Sequence, residues 1–354
     1  MPVTRVTGVT HAGQADLSEN VLGADFDGTY GHDVDSLWQF GPPEDEPDDF
    51  DAFWWSVRAE AAEVDAAPEC GPWESLTGTQ QAPWQDPAGQ QVATISYTAL
   101  DGVRINGWLV RGPGEPERAL VVGHGYGGRD APTAVGAGMI AIQPISRGLP
   151  GSPVGGIGDQ AARHVVSGLD TPRGYVHVGA AADLWAAATV LEQLAPGVPI
   201  GYLGGSYGGG IGALALPWDD RFTAASLHVP SFGNHPVRLT LPCCGSGEAV
   251  RTHVATQPEA RRVLAYADAA TTATRVRIPV LCSVAAFDPA VPPPGQFAVA
   301  NALGGPTWVH VQPNGHSESP EELQDQPRRA ANEREFWADP DAAVRRDQTH
   351  SLVG

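Results

Sequence analysis

Residues 201–212 read GYLGGSYGGGIG and place Ser206 among six glycines within positions 201–210. The serine follows the apolar run PIGYL and precedes the helix-like run GIGALAL, so the stretch fits a GxSxG turn between a strand and a helix. Small neighbours let other backbone segments pass close to such a strained turn. We therefore predict that Ser206 is a nucleophile; the alternative is a glycine-rich turn with an incidental serine.

Short apolar runs recur along the chain, and each ends in a polar or glycine-rich loop. They are ALVVGHGYGG, GMIAIQPISRG, VPIGYLGGSYGGG, FTAASLHVPSF, IPVLCSVAAFDPAVPP and TWVHVQPNGH. Helical patterns such as YVHVGAAADLWAAATVLEQLA and PPGQFAVANAL lie between several of them. This alternation predicts an α/β fold with a mostly parallel, doubly wound sheet and helices on both faces. Sites form in the loops at the carboxyl ends of such strands.

Two further patterns precede the sheet. QVATISYTALDGVRINGWLVRG has two apolar runs separated by Asp101-Gly102, which is a strong hairpin signal. DDFDAFWWSV has carboxylates where a helix begins and apolar residues at helical spacing, so it predicts an amphipathic helix packed on the core. Near the other end, PEELQDQPRRAANEREFWADPDAAV predicts one or two surface helices anchored by Phe336 and Trp337.

The composition excludes several classes of function. There are 41 acidic and 21 basic residues, for a formal net charge of −20, so neither a nucleic acid nor an anionic membrane is expected as a partner. The chain has no lysine, which excludes the Walker P-loop, pyridoxal Schiff bases and Ser-Lys hydrolases. The four cysteines form no CxxC pair, and we expect no metal and no cofactor. Without an apolar leader or span, we expect a soluble, cytoplasmic protein.

A serine nucleophile needs a base that accepts its proton and a carboxylate that orients the base. When the serine sits in such a turn, these partners follow it in the order Asp or Glu, then His, each in a loop after a strand. Asp288 follows the run IPVLCSVAAF, and His316 follows TWVHVQPNG. The rival base His310 lies within the last of these runs, where we expect a buried residue with satisfied hydrogen bonds.

Backbone N–H groups must stabilise the oxyanion that forms during acyl transfer. The residue after the nucleophile, Tyr207, is expected to supply one of them. Tyr126, in the glycine-rich loop of VVGHGYGGR, is expected to supply the second. We expect a structural role for His124 in the same loop. The acyl group is expected to meet the glycines and Tyr207.

From about residue 48 to 320, these motifs resemble the acetyl xylan esterase and cephalosporin C deacetylase family, carbohydrate esterase family 7, of the α/β-hydrolases. The similar segments are DDFDAFW, DGVRINGWLV, HGYGGR, SRGLPGS, GLDTPRGYVHVGAAADLWAA, GGSYGGGIGALA, FDPAVPPPGQFAVAN and NGHSES. The resemblance implies Ser206 as nucleophile, His316 as general base and then acid, and Asp288 as its orienting partner. It also implies an oxyanion hole formed by Tyr126 and Tyr207.

The sequence departs from the family pattern at three motif positions. Tyr207 and Leu149 replace glutamines, and Ser317 replaces a glutamate. Arg147 falls on the arginine of the family's RGQ motif, for which the resemblance implies an architectural role. Family members often form hexamers, which implies a homo-oligomer, although the stretch 148–175 that includes this contact region is shorter here.

The first 45 or so residues are glycine-rich, acidic and weakly periodic, and no repeat or long linker divides the rest of the chain. We therefore divide the chain into an N-terminal extension, residues 1–45, and an α/β-hydrolase domain, residues 46–354. The sequence leaves open whether the extension caps the site or meets a neighbouring subunit.

The leading hypothesis is a metal-independent serine esterase that removes an acetyl or other short acyl group from a small-molecule ester. The alcohol is left open among an acetylated sugar, a cephalosporin-type compound and a secondary metabolite. One alternative is a peptidase or amidase of the prolyl-oligopeptidase type, which would cleave an aminoacyl-anilide rather than p-nitrophenyl acetate. A second alternative is a non-catalytic binding protein with the hydrolase fold, in which Ser206 would resist a fluorophosphonate probe.

Overall fold

The computed structural model describes residues 26–77 and 88–344, and within them a single mixed sheet of ten strands forms the centre of the protein. The strands are β1 (Glu69–Cys70), β2 (Glu74–Ser75), β3 (Gln91–Thr98), β4 (Arg104–Arg111), β5 (Arg118–Val122), β6 (Met139–Pro144), β7 (Ile200–Gly205), β8 (Phe222–His228), β9 (Val280–Phe287) and β10 (Thr307–Asn314). Their order is β1-β3-β4-β6-β5-β7-β8-β9-β10, and β2 pairs with β3.

Helices surround this sheet. They are α1 (Val34–Leu37), α2 (Phe50–Ala62), α3 (Ala161–His164), α4 (Val176–Leu194), α5 (Tyr207–Ala215), α6 (His235–Arg238), α7 (Gly247–Thr256), α8 (Ala260–Tyr266), α9 (Ala269–Ala273), α10 (Pro293–Ala302) and α11 (Pro320–Ala338). No helix of the described residues combines the length and the apolar character that a bilayer crossing requires.

The six predicted strands are the parallel part of the sheet. β5 pairs in parallel with β6 and β7, and β8, β9 and β10 continue in the same direction. Along β5, Ala119 and Val121 join one apolar cluster while Leu120 and Val122 join another, so both faces are buried. Because every residue of such a strand is covered, its sequence is a continuous apolar run.

The hairpin and the aromatic helix also form as predicted. β3 and β4 pair in antiparallel register, with Asp101 at φ 64° and Gly102 at φ 69° in the connection. On α2, Trp54 is fully buried and its ring stacks on Trp218 with centroids 6.0 Å apart. In the last part of the chain, α11 inserts the fully buried ring of Phe336 and the largely buried ring of Trp337 under the sheet.

The described part of the extension, from residue 26, lies against the loops around α10. The side-chain amide of Asn301 donates to the carbonyl oxygens of Trp38 and Phe40, at 3.2 and 2.7 Å. Asn234 similarly donates to the Gly41 carbonyl at 2.8 Å. Residues 1–25 lie outside the described range, and the boundary at residue 45 stays a prediction.

Candidate active site

Ser206 occupies the sharp turn between β7 and α5. Its φ of 56° is in the left-handed region, which costs a non-glycine residue conformational energy. A Cβ at Gly208 would lie 2.9 Å from the His124 carbonyl oxygen, and one at Gly209 would lie 3.0 Å from the Pro230 Cα. The glycines after the serine are therefore required because two loops press against the start of α5.

The end of β8 and the loop after it bind the backbone of Ser206 on both sides. The Ser206 N–H donates to the His228 carbonyl at 2.8 Å, and the Ser231 N–H donates to the Ser206 carbonyl at 3.1 Å. Val229 and Phe232, in the same loop, also have positive φ, at 40° and 69°. Backbone strain is thus concentrated around the serine, which is typical of functional sites.

His316 joins the serine to a carboxylate. Its Nε2 lies 2.9 Å from Ser206 Oγ, and its Nδ1 lies 2.8 Å from Asp288 Oδ2. The His316 side chain is 29% exposed, so a substrate can reach it. Burial alone would lower its pKa, but the charge and hydrogen bond of Asp288 raise the pKa of His316 above the ordinary histidine value.

Asp288 is completely buried and its carboxylate is fully hydrogen-bonded. Oδ1 accepts from the N–H groups of Ala290 and Val291, both at 2.9 Å. Oδ2 accepts from Gln296 Nε2 at 2.9 Å as well as from His316. These bonds satisfy both oxygens of the buried carboxylate and fix the oxygen that orients the imidazole.

Two residues that hold Asp288 were missed from the sequence. The Asp288 N–H donates to the Gly28 carbonyl at 2.9 Å, so the N-terminal extension supports the loop of the carboxylate. Gln296 is the second such residue, and it is fully buried. In the sequence, a glutamine within the largely apolar run of α10 could have indicated a specific hydrogen-bond partner. For Gly28 the sequence gives no signal, because the contact joins distant parts of the chain.

The two expected oxyanion residues lie on either side of the serine. Tyr207 is the first residue of α5, where the N–H has no acceptor within the helix. The loop of Tyr126 runs beside the nucleophile, since a Cβ on Gly125 would stand 3.7 Å from the Ser206 Cβ. Both residues therefore lie beside the serine, and their role as oxyanion donors stays a prediction.

One expectation about Tyr207 is wrong. Its ring does not form a wall for the acyl group, because the residue is only 2% exposed and its hydroxyl pairs with Ser146 Oγ at 2.7 Å. The ring instead packs on that of Tyr126, with centroids 4.2 Å apart. A large apolar ring in this position gains more from burial in the interior than from contact with water.

The residues expected to be structural are buried in polar contacts. His310 pairs with Asp325 at 2.7 Å and is 3% exposed. Arg147 is 4% exposed, and its guanidinium donates to both carboxylate oxygens of Asp183 on α4, at 2.6 to 3.2 Å. Across the described ranges, no group of three His, Cys, Asp or Glu side chains is placed to hold a metal ion.

Comparison with known proteins agrees with the resemblance seen in the motifs. The family model described as acetyl xylan esterase (AXE1) matches residues 31–331. Acetyl xylan esterase 1 from Thermoanaerobacterium sp. JW/SL YS485 superposes with a TM-score of 0.69 at 19% identity, covering 86% of this chain and 98% of that one. An acetyl xylan esterase from Paenibacillus sp. R4 superposes with a TM-score of 0.67 at 22% identity, covering 85% and 99%.

Peptidases of related fold match a smaller part of their own length. A post-proline cleaving enzyme from Rickettsia typhi gives a TM-score of 0.52 at 18% identity, over 73% of this chain but 38% of that one. At such identities the structural likeness shows the fold alone. The predicted α/β-hydrolase fold is confirmed.

Proposed function

This chain belongs to the acetyl xylan esterase family and is therefore a carboxylic ester hydrolase that removes acetyl groups, and from that premise we propose that Ser206, His316 and Asp288 carry the reaction. The observation that supports this assignment is the continuous path of two hydrogen bonds, 2.9 and 2.8 Å long, from Ser206 Oγ through the imidazole to the buried carboxylate. A serine in a strained turn with such a path is an activated nucleophile.

In the first half of the reaction, Ser206 Oγ attacks the carbonyl carbon of the ester while His316 Nε2 takes the hydroxyl proton. Asp288 stabilises the imidazolium that results and remains ionised. The carbonyl oxygen becomes negatively charged and accepts hydrogen bonds from the N–H groups of Tyr126 and Tyr207. When the tetrahedral intermediate collapses, His316 gives its proton to the departing alcohol and leaves an acetyl-serine.

In the second half, water occupies the place of the alcohol. His316 takes a proton from the water, and the resulting hydroxyl attacks the acetyl carbon through the same oxyanion geometry. Collapse of this second intermediate returns the proton to Ser206 Oγ and releases acetate. The exposure of His316 gives both alcohol and water access to the base.

We propose acetyl esters of sugars as the substrate class, since the two esterases that superpose over most of this chain are described as acetyl xylan esterases. Cephalosporin-type acetates and acetylated secondary metabolites are the next substrates to compare. The peptidase alternative is not favoured, because the matching family model is an esterase model. A homo-oligomer and a cytoplasmic location stay predictions.

The direct test is hydrolysis of p-nitrophenyl esters from acetate to octanoate by the wild type and by Ser206→Ala. The wild type should prefer acetate, and the variant should lose at least about 10^4-fold in kcat because the nucleophile is gone. A fluorophosphonate should label the wild type only. If Ser206→Ala keeps the wild-type rate, Ser206 is not the nucleophile.

A further inference from the structure

The two proposed oxyanion residues are joined by a buried chain of hydrogen bonds that the triad does not use. The Tyr207 hydroxyl pairs with Ser146 Oγ at 2.7 Å, and the Ser146 N–H donates to His124 Nε2 at 3.0 Å. His124 Nδ1 then lies 2.7 Å from the Gly125 carbonyl oxygen. The chain ends on the peptide group whose other half is the N–H of Tyr126.

The contacts of His124 determine which nitrogen carries its proton. The Ser146 N–H can only donate, so Nε2 accepts, and the Gly125 carbonyl can only accept, so Nδ1–H donates. Each partner is thus satisfied by a neutral imidazole with a single proton. In agreement, burial foremost and the nearby charge of Arg129 lower the pKa of His124 to about 4.

The hydrogen bond from His124 fixes the direction of the opposite N–H. The peptide between Gly125 and Tyr126 is trans, so its C=O and N–H point to opposite sides of one rigid plane. A hydrogen bond that fixes the Gly125 carbonyl oxygen therefore also fixes the direction of the Tyr126 N–H. The Gly128 N–H also donates to this oxygen, at 3.0 Å, and closes the turn 125–128, whereas the imidazole of His124 connects the oxygen to Ser146 and Tyr207.

The side chain of Tyr126 is also hydrogen-bonded, which fixes the position of its loop. Its hydroxyl lies 3.1 Å from His164 Nδ1 and 3.0 Å from His177 Nε2. His164 Nε2 in turn donates to the Arg147 carbonyl at 2.8 Å. The ring packs on Tyr207, so the two residues that supply the oxyanion donors also support each other.

Resting on the proposed function, we propose that His124 is a positioning residue for the oxyanion hole: its Nδ1–H orients the Gly125–Tyr126 peptide so that the Tyr126 N–H meets the developing oxyanion. His124 touches neither the substrate nor Ser206 in this role. It stabilises the transition states and the tetrahedral intermediates rather than the bound ester, because the negative charge on the oxygen develops only as these form.

Two substitutions of His124 by an amide side chain each retain one of its two hydrogen bonds. In His124→Asn the amide nitrogen stands near the position of Nδ1 and can still donate to Gly125 O, whereas the acceptor for Ser146 is lost. In His124→Gln the amide reaches the position of Nε2 and can still accept from Ser146, whereas the donor to Gly125 O is lost. Both variants give up one buried hydrogen bond, so we expect them to lose similar stability.

The kinetics should separate them. We expect kcat for p-nitrophenyl acetate to stay within about 5-fold of the wild type in His124→Asn and to fall about 10²-fold in His124→Gln, with little change in KM in either. The affinity for an aryl trifluoromethyl ketone, which forms an oxyanion with the serine, should fall in His124→Gln by a similar factor.

His310→Gln is the matched control, because His310 is also a buried histidine with two partners but lies within β10 and contacts Asp325 and Asn332. The His310→Gln variant should have a lower free energy of unfolding than the wild type and the same kcat. Equal kcat losses in His124→Asn and His124→Gln, or a loss in His310→Gln as large as that in His124→Gln, would overturn the proposal for His124. If His124→Gln is fully active while Ser206→Ala is inactive, the positioning role is wrong and the esterase mechanism stands.

A spectroscopic measurement tests the proposal independently of activity. The chain has seven tyrosines, so ¹⁵N-tyrosine labelling gives a sparse amide spectrum that contains both oxyanion donors. The Tyr126 cross-peak, assigned with Tyr126→Phe, should shift in His124→Gln more than in His124→Asn, because loss of a bond at the carbonyl changes the polarisation of the attached N–H. An equal shift in both variants would contradict the proposal.

Discussion

Two histidines near the end of the sheet have nearly the same carboxylate contact and different chemistry. His310, within β10, lies 2.7 Å from Asp325, and His316, two residues past the strand, lies 2.8 Å from Asp288. The remaining nitrogen of His310 accepts from Asn332, whereas that of His316 faces Ser206 Oγ. A carboxylate partner therefore does not by itself make a catalytic base; the partner on the other nitrogen and the access to solvent decide.

The environments of the two imidazoles also differ in electrostatics. His310 is 3% exposed, and burial lowers its pKa even though Asp325 favours the charged form. At His316 the carboxylate has the larger combined effect, and the pKa is raised. A raised pKa makes His316 a better proton acceptor for the serine, which is what a general base requires.

The largest expected effect comes from exchanging each histidine for glutamine. His316→Gln should lower kcat by at least about 10^4-fold, because no group then takes the serine proton. His310→Gln should leave kcat within about 2-fold and lower the free energy of unfolding by roughly 1–3 kcal/mol, since one buried partner is left unpaired. Esterase kinetics and denaturant unfolding of both variants measure this. Comparable kcat losses would remove the distinction between the two sites.

A smaller effect should appear in the pH dependence. In the free wild type, kcat/KM should rise with pH through an apparent pKa above the ordinary histidine value, because His316 acts only when neutral. Asp288→Asn removes the charge that raises this pKa, so the acid limb should move to lower pH while kcat falls about 10^3- to 10^4-fold. An acid limb at the same pH in both proteins would show that another group controls it.

The smallest expected effect concerns another buried acid, Glu333 on α11, and affects stability rather than catalysis. Its carboxyl lies 3.4 Å from Ser226 Oγ, and burial raises its pKa to about 7. A carboxyl whose pKa is raised on folding stabilises the fold below its unfolded pKa and loses that contribution as pH rises through the folded pKa. Within the described ranges, Glu333 pairs with Ser226 and not with a histidine, unlike Asp325 and Asp288.

Glu333→Gln should consequently gain stability relative to the wild type as pH increases. The difference in unfolding free energy between the two proteins should change by about 3 kcal/mol from pH 4 to pH 8.5, with kcat unchanged. Denaturant unfolding at the two pH values measures it. A difference that does not vary with pH would place the Glu333 carboxyl in a solvated environment instead.

Much of this arrangement could be predicted from local patterns. The strands around Ser206, Asp288 and His316 are continuous apolar runs that end in loops, and a parallel sheet brings such loops to one edge. The sequence patterns predicted no helices between β8 and β9, although this segment contains the short helices α6 to α9. Those helices are stabilised by long-range contacts, such as Asp268 accepting from the N–H groups of Asn234 and His235, which leave no periodic signal.

The amino-acid sequence by itself determined the fold class, the family and the identity of the three residues that meet at the site. It could do so because apolar periodicity, turn chemistry and the order of nucleophile, acid and base are all local or ordinal properties of a chain. Only the tertiary structure decided that the Tyr207 ring turns inward, that Gly28 supports Asp288, and that His124 holds the peptide of Tyr126. Hydrogen bonds between distant segments depend on how the layers pack, and packing has no pattern that a single segment displays.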